Sequence, residues 1–223
     1  HHALELAKNL ALLEEEDWVA KSQRDLHPIE AGRFFVHGSH DRAKGAGRAY
    51  AIEIDAKQAF GTAHHGTTRG CLLALDKLAK CWHTADTLDL GTGSGVLAIA
   101  AAKAMRGKVL ATDIDPVAID VARENCALNG VAPQVDCLVA DGTKHPAIAA
   151  RAPFGLVMAN ILAAPLLELA PSIVSAVAPG SHLILSGILE TQAREVGGRY
   201  AAQGFRLVQR FPDAEWTTLL MRY

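Results

Sequence analysis

The stretch TLDLGTGSGVLAIAAA, Thr87 to Ala102, decides the fold. A short apolar strand, Thr87 to Gly91, runs into three glycines, Gly91, Gly93 and Gly95, and a helix rich in alanine follows over Ser94 to Met105. Glycine belongs where the backbone turns tightly and a ligand approaches the main chain. The helix N-terminus beyond favours negative charge. The pattern is GxGxG, with Val96 where the dinucleotide pattern GxGxxG has its third glycine. A glycine cluster of this kind is weak evidence alone.

Carboxylates strengthen it. Asp89 lies on the strand just before the glycines. Asp113 ends the next strand, KVLATD (108–113), about 20 residues after Gly91, where a carboxylate can accept from both hydroxyls of a ribose. A third strand, QVDCLVA (134–140), leads into Asp141-Gly142, and Asp141 can face an adenine amino group. Asp115, by contrast, reads as a helix cap, since Pro116 follows it and Gly130 ends the helix. FGLVMAN (154–160) is a fourth strand, and Asn160 at its end offers an acceptor and donors to the same crevice. Together these residues suit an adenosine lying across the C-terminal edge of a parallel sheet.

The chain on either side continues the alternation. A helix with Leu72, Leu75 and Leu78 runs from Thr67 to about Lys80. Leu162 to Ala178 is helical but broken, because Pro171 does not suit the inside of a regular helix. HLILSG (182–187) is a strand and Glu190 to Gln203 a helix. FRLVQRF (205–211) and EWTTLLMRY (215–223) form a closing antiparallel hairpin. Strand–helix alternation of this kind predicts right-handed βαβ units and an α/β fold with a mostly parallel sheet covered on both faces. The front differs in texture. Residues 3–16 are helix-like through Leu6, Leu10 and Leu13, and RFFVHG (33–38) and AYAIEID (49–55) read as strands joined by a glycine-rich loop. The expected division is residues 1–66, a helix, linker and small strand region, and residues 67–223, the cofactor-binding catalytic domain.

Composition limits the function classes. The 223 residues are 50% hydrophobic and 21% charged, as in a soluble globular protein. A net charge of -2 gives no basic excess for strong direct binding to nucleic acid. Cys71, Cys81, Cys126 and Cys137 form no CxxC pair and read as small buried thiols of a reducing, cytoplasmic protein. The longest apolar runs are short of a membrane span, no secretory leader is seen, and His1 and His2 look like a tag remnant.

One stretch remains, AFGTAHHGTT, Ala59 to Thr68. A metal site at His64 and His65 is disfavoured, because neighbours on an extended chain point opposite ways and no Cys, His or Asp set completes a shell. The order TLDLGTGSG, ATDIDP, VMANILAAPLLELAP and LILSGILETQ resembles the class I S-adenosylmethionine-dependent methyltransferases, a Rossmann-like fold with a seven-stranded sheet. More narrowly it resembles the ribosomal protein L11 methyltransferases of the PrmA type, and AFGTAHHGTT is similar to their signature loop AFGTGTHPTT. EEDWVAKSQRDLHPIEAGRFFV, Glu15 to Val36, resembles the segment before their catalytic domain. Ala63, His64 and Gly66 depart from that loop, while His65 keeps its histidine. The family's separate N-terminal substrate-recognition domain, of ferredoxin-like type, has only a short helix-like counterpart here. The chain is therefore expected to be a fragment or a shortened relative with another target.

The resemblance implies methyl transfer from S-adenosylmethionine to lysine side-chain amines and the N-terminal amine of a large-subunit ribosomal protein. It assigns Thr68, Gly91, Asp113 and Asn160 to the cofactor, to which the residue-level reading adds Asp89, Gly93 and Asp141. The expected catalytic set is Asn160, which orients the amine, His65 as proton acceptor, and Phe60 as core or as a lid over the cofactor. Rival readings are a methyltransferase of the same fold acting on another protein, a small amine or a nucleobase amine, and a noncatalytic cofactor-binding module. NILA lacks the aromatic of the nucleobase motif NPPY, and GxGxG argues against a nicotinamide enzyme.

Overall fold

The structure, a computed structural model, describes residues 28–54, 65–84 and 86–223. The helix-like segment 3–16, Phe60 and His64 lie outside the described residues.

The described chain opens with β1 (Ile29–Ala31), β2 (Phe34–His37), a single helical turn α1 (Arg42–Gly45) and β3 (Tyr50–Glu53). β1 pairs antiparallel with β2, and β2 pairs parallel with β3. Sequence reading finds the two longer strands. It misses β1, whose three residues are too few to show a period, and it treats α1 as loop.

Then follow α2 (His65–Leu78), β4 (Asp86–Leu90), α3 (Val96–Met105), β5 (Lys108–Asp113), α4 (Pro116–Leu128), β6 (Val135–Val139), α5 (Pro146–Arg151) and β7 (Phe154–Asn160). The chain ends with α6 (Ala163–Ser175), β8 (Val177–Leu189), α7 (Ala193–Ala201), β9 (Arg206–Asp213) and β10 (Trp216–Arg222). One seven-stranded sheet has the order β6-β5-β4-β7-β8-β10-β9. β6, β5, β4, β7 and β8 are parallel, and β10 lies antiparallel between β8 and β9.

The central strands are apolar on both faces because both are covered. On β7, Leu156 and Met158 face the core under α2 and α3, while Phe154, Val157 and Ala159 face the core under α6 and α7. Alanine fills α3 because that helix is buried almost all round. The front strands add Ile29, Phe34, Val36 and Ile52 to the core that contains Leu72, Leu75 and Ile99. Arg33 and Lys80 both pair with the buried carboxylate of Asp76, at 2.5 and 2.8 Å, which fixes the small sheet to α2. Together they hold that carboxylate below its ordinary range against the opposing effect of burial.

Several elements differ from the sequence reading. The helix after the signature loop begins at His65, so the loop's last residues form its first turn. α6 is one continuous helix through Pro171. Its ring lies exposed, while Leu166, Ala170 and Ile173 anchor the other face, and only one backbone donor is lost a turn from the end. β8 begins at Val177 rather than His182, with a register shift against β7 that absorbs Pro179 and Gly180. Cys71 and Cys126 are buried, but Cys81 is exposed and Cys137 half-buried, so the uniform burial expected of the four thiols does not hold.

Candidate functional site

Strand order reverses between β4 and β7, and a crevice opens there beyond the C-terminal ends. Leu90 pairs with Thr112 on one side and Ala159 on the other. One residue further on, Gly91, Asp113 and Asn160 therefore stand along one edge.

The glycine loop is built for close approach. Gly91 has φ +71°, and a Cβ there would overlap the Ile161 side chain. Gly95, the N-cap of α3, has φ +83°, and a Cβ there would lie only 3.2 Å from Ala122 of α4. The N–H groups of Gly91 and Thr92 both reach the Thr112 carbonyl, at 2.8 and 2.9 Å. Gly93 donates its N–H to Asp113 Oδ2 at 2.9 Å, and Asp115 donates to Oδ1 at 3.1 Å. Two backbone donors thus fix the Asp113 carboxylate, and each oxygen keeps a lone pair for a ligand.

A cleft of about 450 Å³ lies above this edge, within the usual range for small-molecule sites. One wall carries Gly91, Asp113, Ile114, Asp141, Gly142 and Lys144, and the other Ile161, Pro165, Glu168 and Leu169. Ile114 is 69% exposed although apolar, a flat surface suited to a purine. The glycine backbone, the fixed carboxylate and this apolar wall fit an adenosine.

Of the expected cofactor residues, Gly91, Asp113 and Asp141 line the cleft. Gly93 supports it through Asp113. Asp89 does not reach it. Only 1% exposed, it accepts the Thr92 hydroxyl at 2.6 Å and lies beneath the loop. Burial, aided by the charge of Asp113, pushes its carboxyl up to about 7 against the opposing effect of Thr92 and the α3 backbone. Asp115 caps α4, accepting from the Val117 N–H at 2.8 Å, as the sequence predicts.

Asn160 ends β7 beside Ile161, half-buried and level with Ser186 on β8. Ser186 donates its hydroxyl to the Thr67 carbonyl at 3.2 Å, so the first turn of α2, with His65 and buried Thr68, reaches the β7–β8 end of the same edge. Thr68 and Asn160 are not among the residues that line the cleft. Sequence reading missed Ile114, Ile161, Lys144, Glu168 and Leu169. An apolar residue between the two aspartates of DID was a signal for the first. The spacing of Pro165, Glu168 and Leu169 on one helix face was a signal for the last two.

The profile of the family described as Ribosomal protein L11 methyltransferase (PrmA) matches residues 2–223. A ribosomal protein L11 methyltransferase from Chelativorans sp. (strain BNC1) is 52% identical over 210 residues, which are 94% of this chain and 72% of the relative. A crystal structure of a ribosomal protein L11 methylase from Lactobacillus delbrueckii subsp. bulgaricus superposes with a TM-score of 0.76 at 30% identity, covering 88% of this chain and 98% of that one. An RNA methyltransferase from Salinibacter ruber, solved in complex with S-adenosyl-L-homocysteine, shares the fold at a TM-score of 0.52 and 21% identity, covering 68% of this chain and 88% of that one. With these matches joined to the geometry of the crevice, the chain belongs to the ribosomal protein L11 methyltransferase family.

Proposed function

We propose that the protein is an S-adenosylmethionine-dependent N-methyltransferase whose substrate is a large-subunit ribosomal protein, L11 by the name its relatives carry, modified on lysine side chains or its N-terminal amine. The observation that carries this reading is the Asp113 carboxylate, locked by the glycine loop at the rim of the cleft. It would hold the ribose, with Ile114 against the purine and Asp141 near its amino group. Residues 67–223 would carry the cofactor site, with the segment before them as an accessory region. A ribosomal substrate favours a cytoplasmic location. No helix among the described residues is long and apolar enough to cross a membrane.

The bound donor supplies an electrophilic methyl on a sulfonium centre. The protein's own task is positioning, the largest source of rate for an in-line displacement. A free lysine amine has a pKa of about 10.4 and must reach the site neutral. In this reading Asn160 orients the amine with its carbonyl, His65 accepts the proton directly or through water, and Thr68 and Phe60 complete the donor pocket.

Incubation with methyl-labelled S-adenosylmethionine and cell extract, followed by mass spectrometry of the labelled protein, tests this. Label on lysine or N-terminal amines of L11 is expected. Label confined to RNA or small amines would overturn the substrate assignment.

A further inference from the structure

The glycine loop has few side chains of its own by which to be held. Ser94 stands between Gly93 and Gly95, and its carbonyl points into a dry interior, where an unpaired acceptor is costly. Asn125 of α4 meets it. This side chain is 1% exposed, and its Nδ2 donates to the Ser94 carbonyl at 2.9 Å. The close approach of Gly95 to Ala122, one turn earlier on the same helix, lets so short an amide reach.

One turn later Asn129 caps α4 and spends its whole amide on two backbones. Its Oδ1 accepts the Glu53 N–H at 2.9 Å, and its Nδ2 donates to the Glu53 carbonyl at 2.7 Å and the Asn125 carbonyl at 2.8 Å. β3 is an edge strand of the small sheet, so Asn129 gives its last residue the partners a neighbouring strand would give. The Glu53 carboxylate is paired in turn with Arg42, at 2.7 and 2.5 Å. A continuous hydrogen-bonded chain therefore runs from Arg42 through Glu53, Asn129 and Asn125 to Ser94. It joins the end of β3 to the loop under the cleft.

We propose that Asn125 and Asn129 are positioning residues for the methyl donor: acting as one unit through α4, they fix the glycine loop against the end of β3 and touch neither donor nor acceptor. This rests on the functional reading above. A hydrogen bond removed from a buried carbonyl is worth about tenfold in an equilibrium that needs the loop in place.

The test is calorimetric titration of the whole chain with S-adenosylmethionine, beside steady-state methyl transfer and thermal melting. Asn125→Ala and Asn129→Ala are each expected to weaken donor binding about tenfold and to raise KM for the donor, with kcat and KM for the protein substrate little changed. Because the two act in series, the double variant stays within about threefold of the weaker single variant. Phe205→Leu, in the core below α7, serves as a control that lowers Tm and leaves donor affinity intact. Asparagine variants that melt earlier, as the control does, yet bind the donor like wild type would overturn the proposal. Losses that multiply in the double variant would overturn the linkage. If Asn125→Ala does not fold, Asn129→Ala at the half-buried cap carries the same test. A wild-type chain that binds no donor would sink the functional reading itself, a result distinct from the others.

Discussion

The two edges of the seven-stranded sheet are made by the same strands and finished in opposite ways. At the C-terminal edge the backbone is bared by glycine, carboxylates stand at an open cleft, and Ile114 is left in solvent. At the N-terminal edge side chains pack over the strand ends. The Trp82 and Thr84 side chains lie over Gly155, where a Cβ would overlap the Thr84 hydroxyl. Trp82 meets buried His182 edge-on, with ring centroids 4.5 Å apart, and Arg151 ties Asp86 and Asp136 together at 2.9 and 2.8 Å. The ion pairs of one edge are spent between protein groups, although Thr87 Oγ1, Ser181 Oγ and His182 Nδ1 are buried there without a hydrogen-bond partner among the described residues. At the other edge carboxylates face an open cleft. Only the second pattern marks a site.

Substitution at the open edge should have the largest effect. Gly91→Ala places a methyl in the Ile161 side chain and forces a positive φ on alanine, so it should weaken donor binding by at least about 100-fold in calorimetry. A loss within about threefold would show that the loop yields and would break the contrast between the edges. Asp113→Ala removes charge-assisted bonds and should weaken donor binding by about 10- to 100-fold. Unchanged affinity there would count against the ribose role.

Smaller effects distinguish the edges by pH. Burial holds His182 down to about 4, with Arg222 adding to the effect, and raises Asp89 to about 7. A histidine with a depressed pKa contributes stability that is whole above about 6.5 and is lost as pH falls toward 4. A carboxyl with a raised pKa does the reverse, with stability whole below about 4 and lost as pH rises toward 7. Over the shared window the two slopes oppose each other. His182→Phe should leave a Tm that falls by a few degrees from pH 4.5 to 6.5, and Asp89→Asn one that rises by a similar amount. Asp89→Asn keeps an acceptor for Thr92 and should bind the donor within about threefold of wild type, since Asp89 lies below the cleft. Parallel pH profiles in both variants would contradict the burial of these groups.

The sheet was legible because its central parallel strands, covered on both faces, are short and mainly apolar segments between turn signals. KVLATD and FGLVMAN coincide with β5 and β7. The cap at Asp115 was legible because Asp-Pro has a single local meaning. Tertiary effects were not. β1 exists through its pairing with β2, and Pro171 stays helical because buried neighbours on either side hold the turn. At the site, Gly91, Asp113 and Asp141 could be placed because each follows a strand end. Asp89 points to the opposite face from its neighbours on β4, and whether that face opens to the cleft or lies under α3 is a matter of packing. Glu168 and Lys144 enter only once α6 and the loop after β6 are brought together.

The central claim is that the C-terminal edge binds S-adenosylmethionine, and calorimetry on the whole chain tests it most directly. The account predicts saturable binding of S-adenosylmethionine and S-adenosylhomocysteine, no binding of NAD, and loss of both responses in Gly91→Ala. Tight NAD binding with no response to the sulfonium donor, or donor binding undiminished in Gly91→Ala, would contradict it.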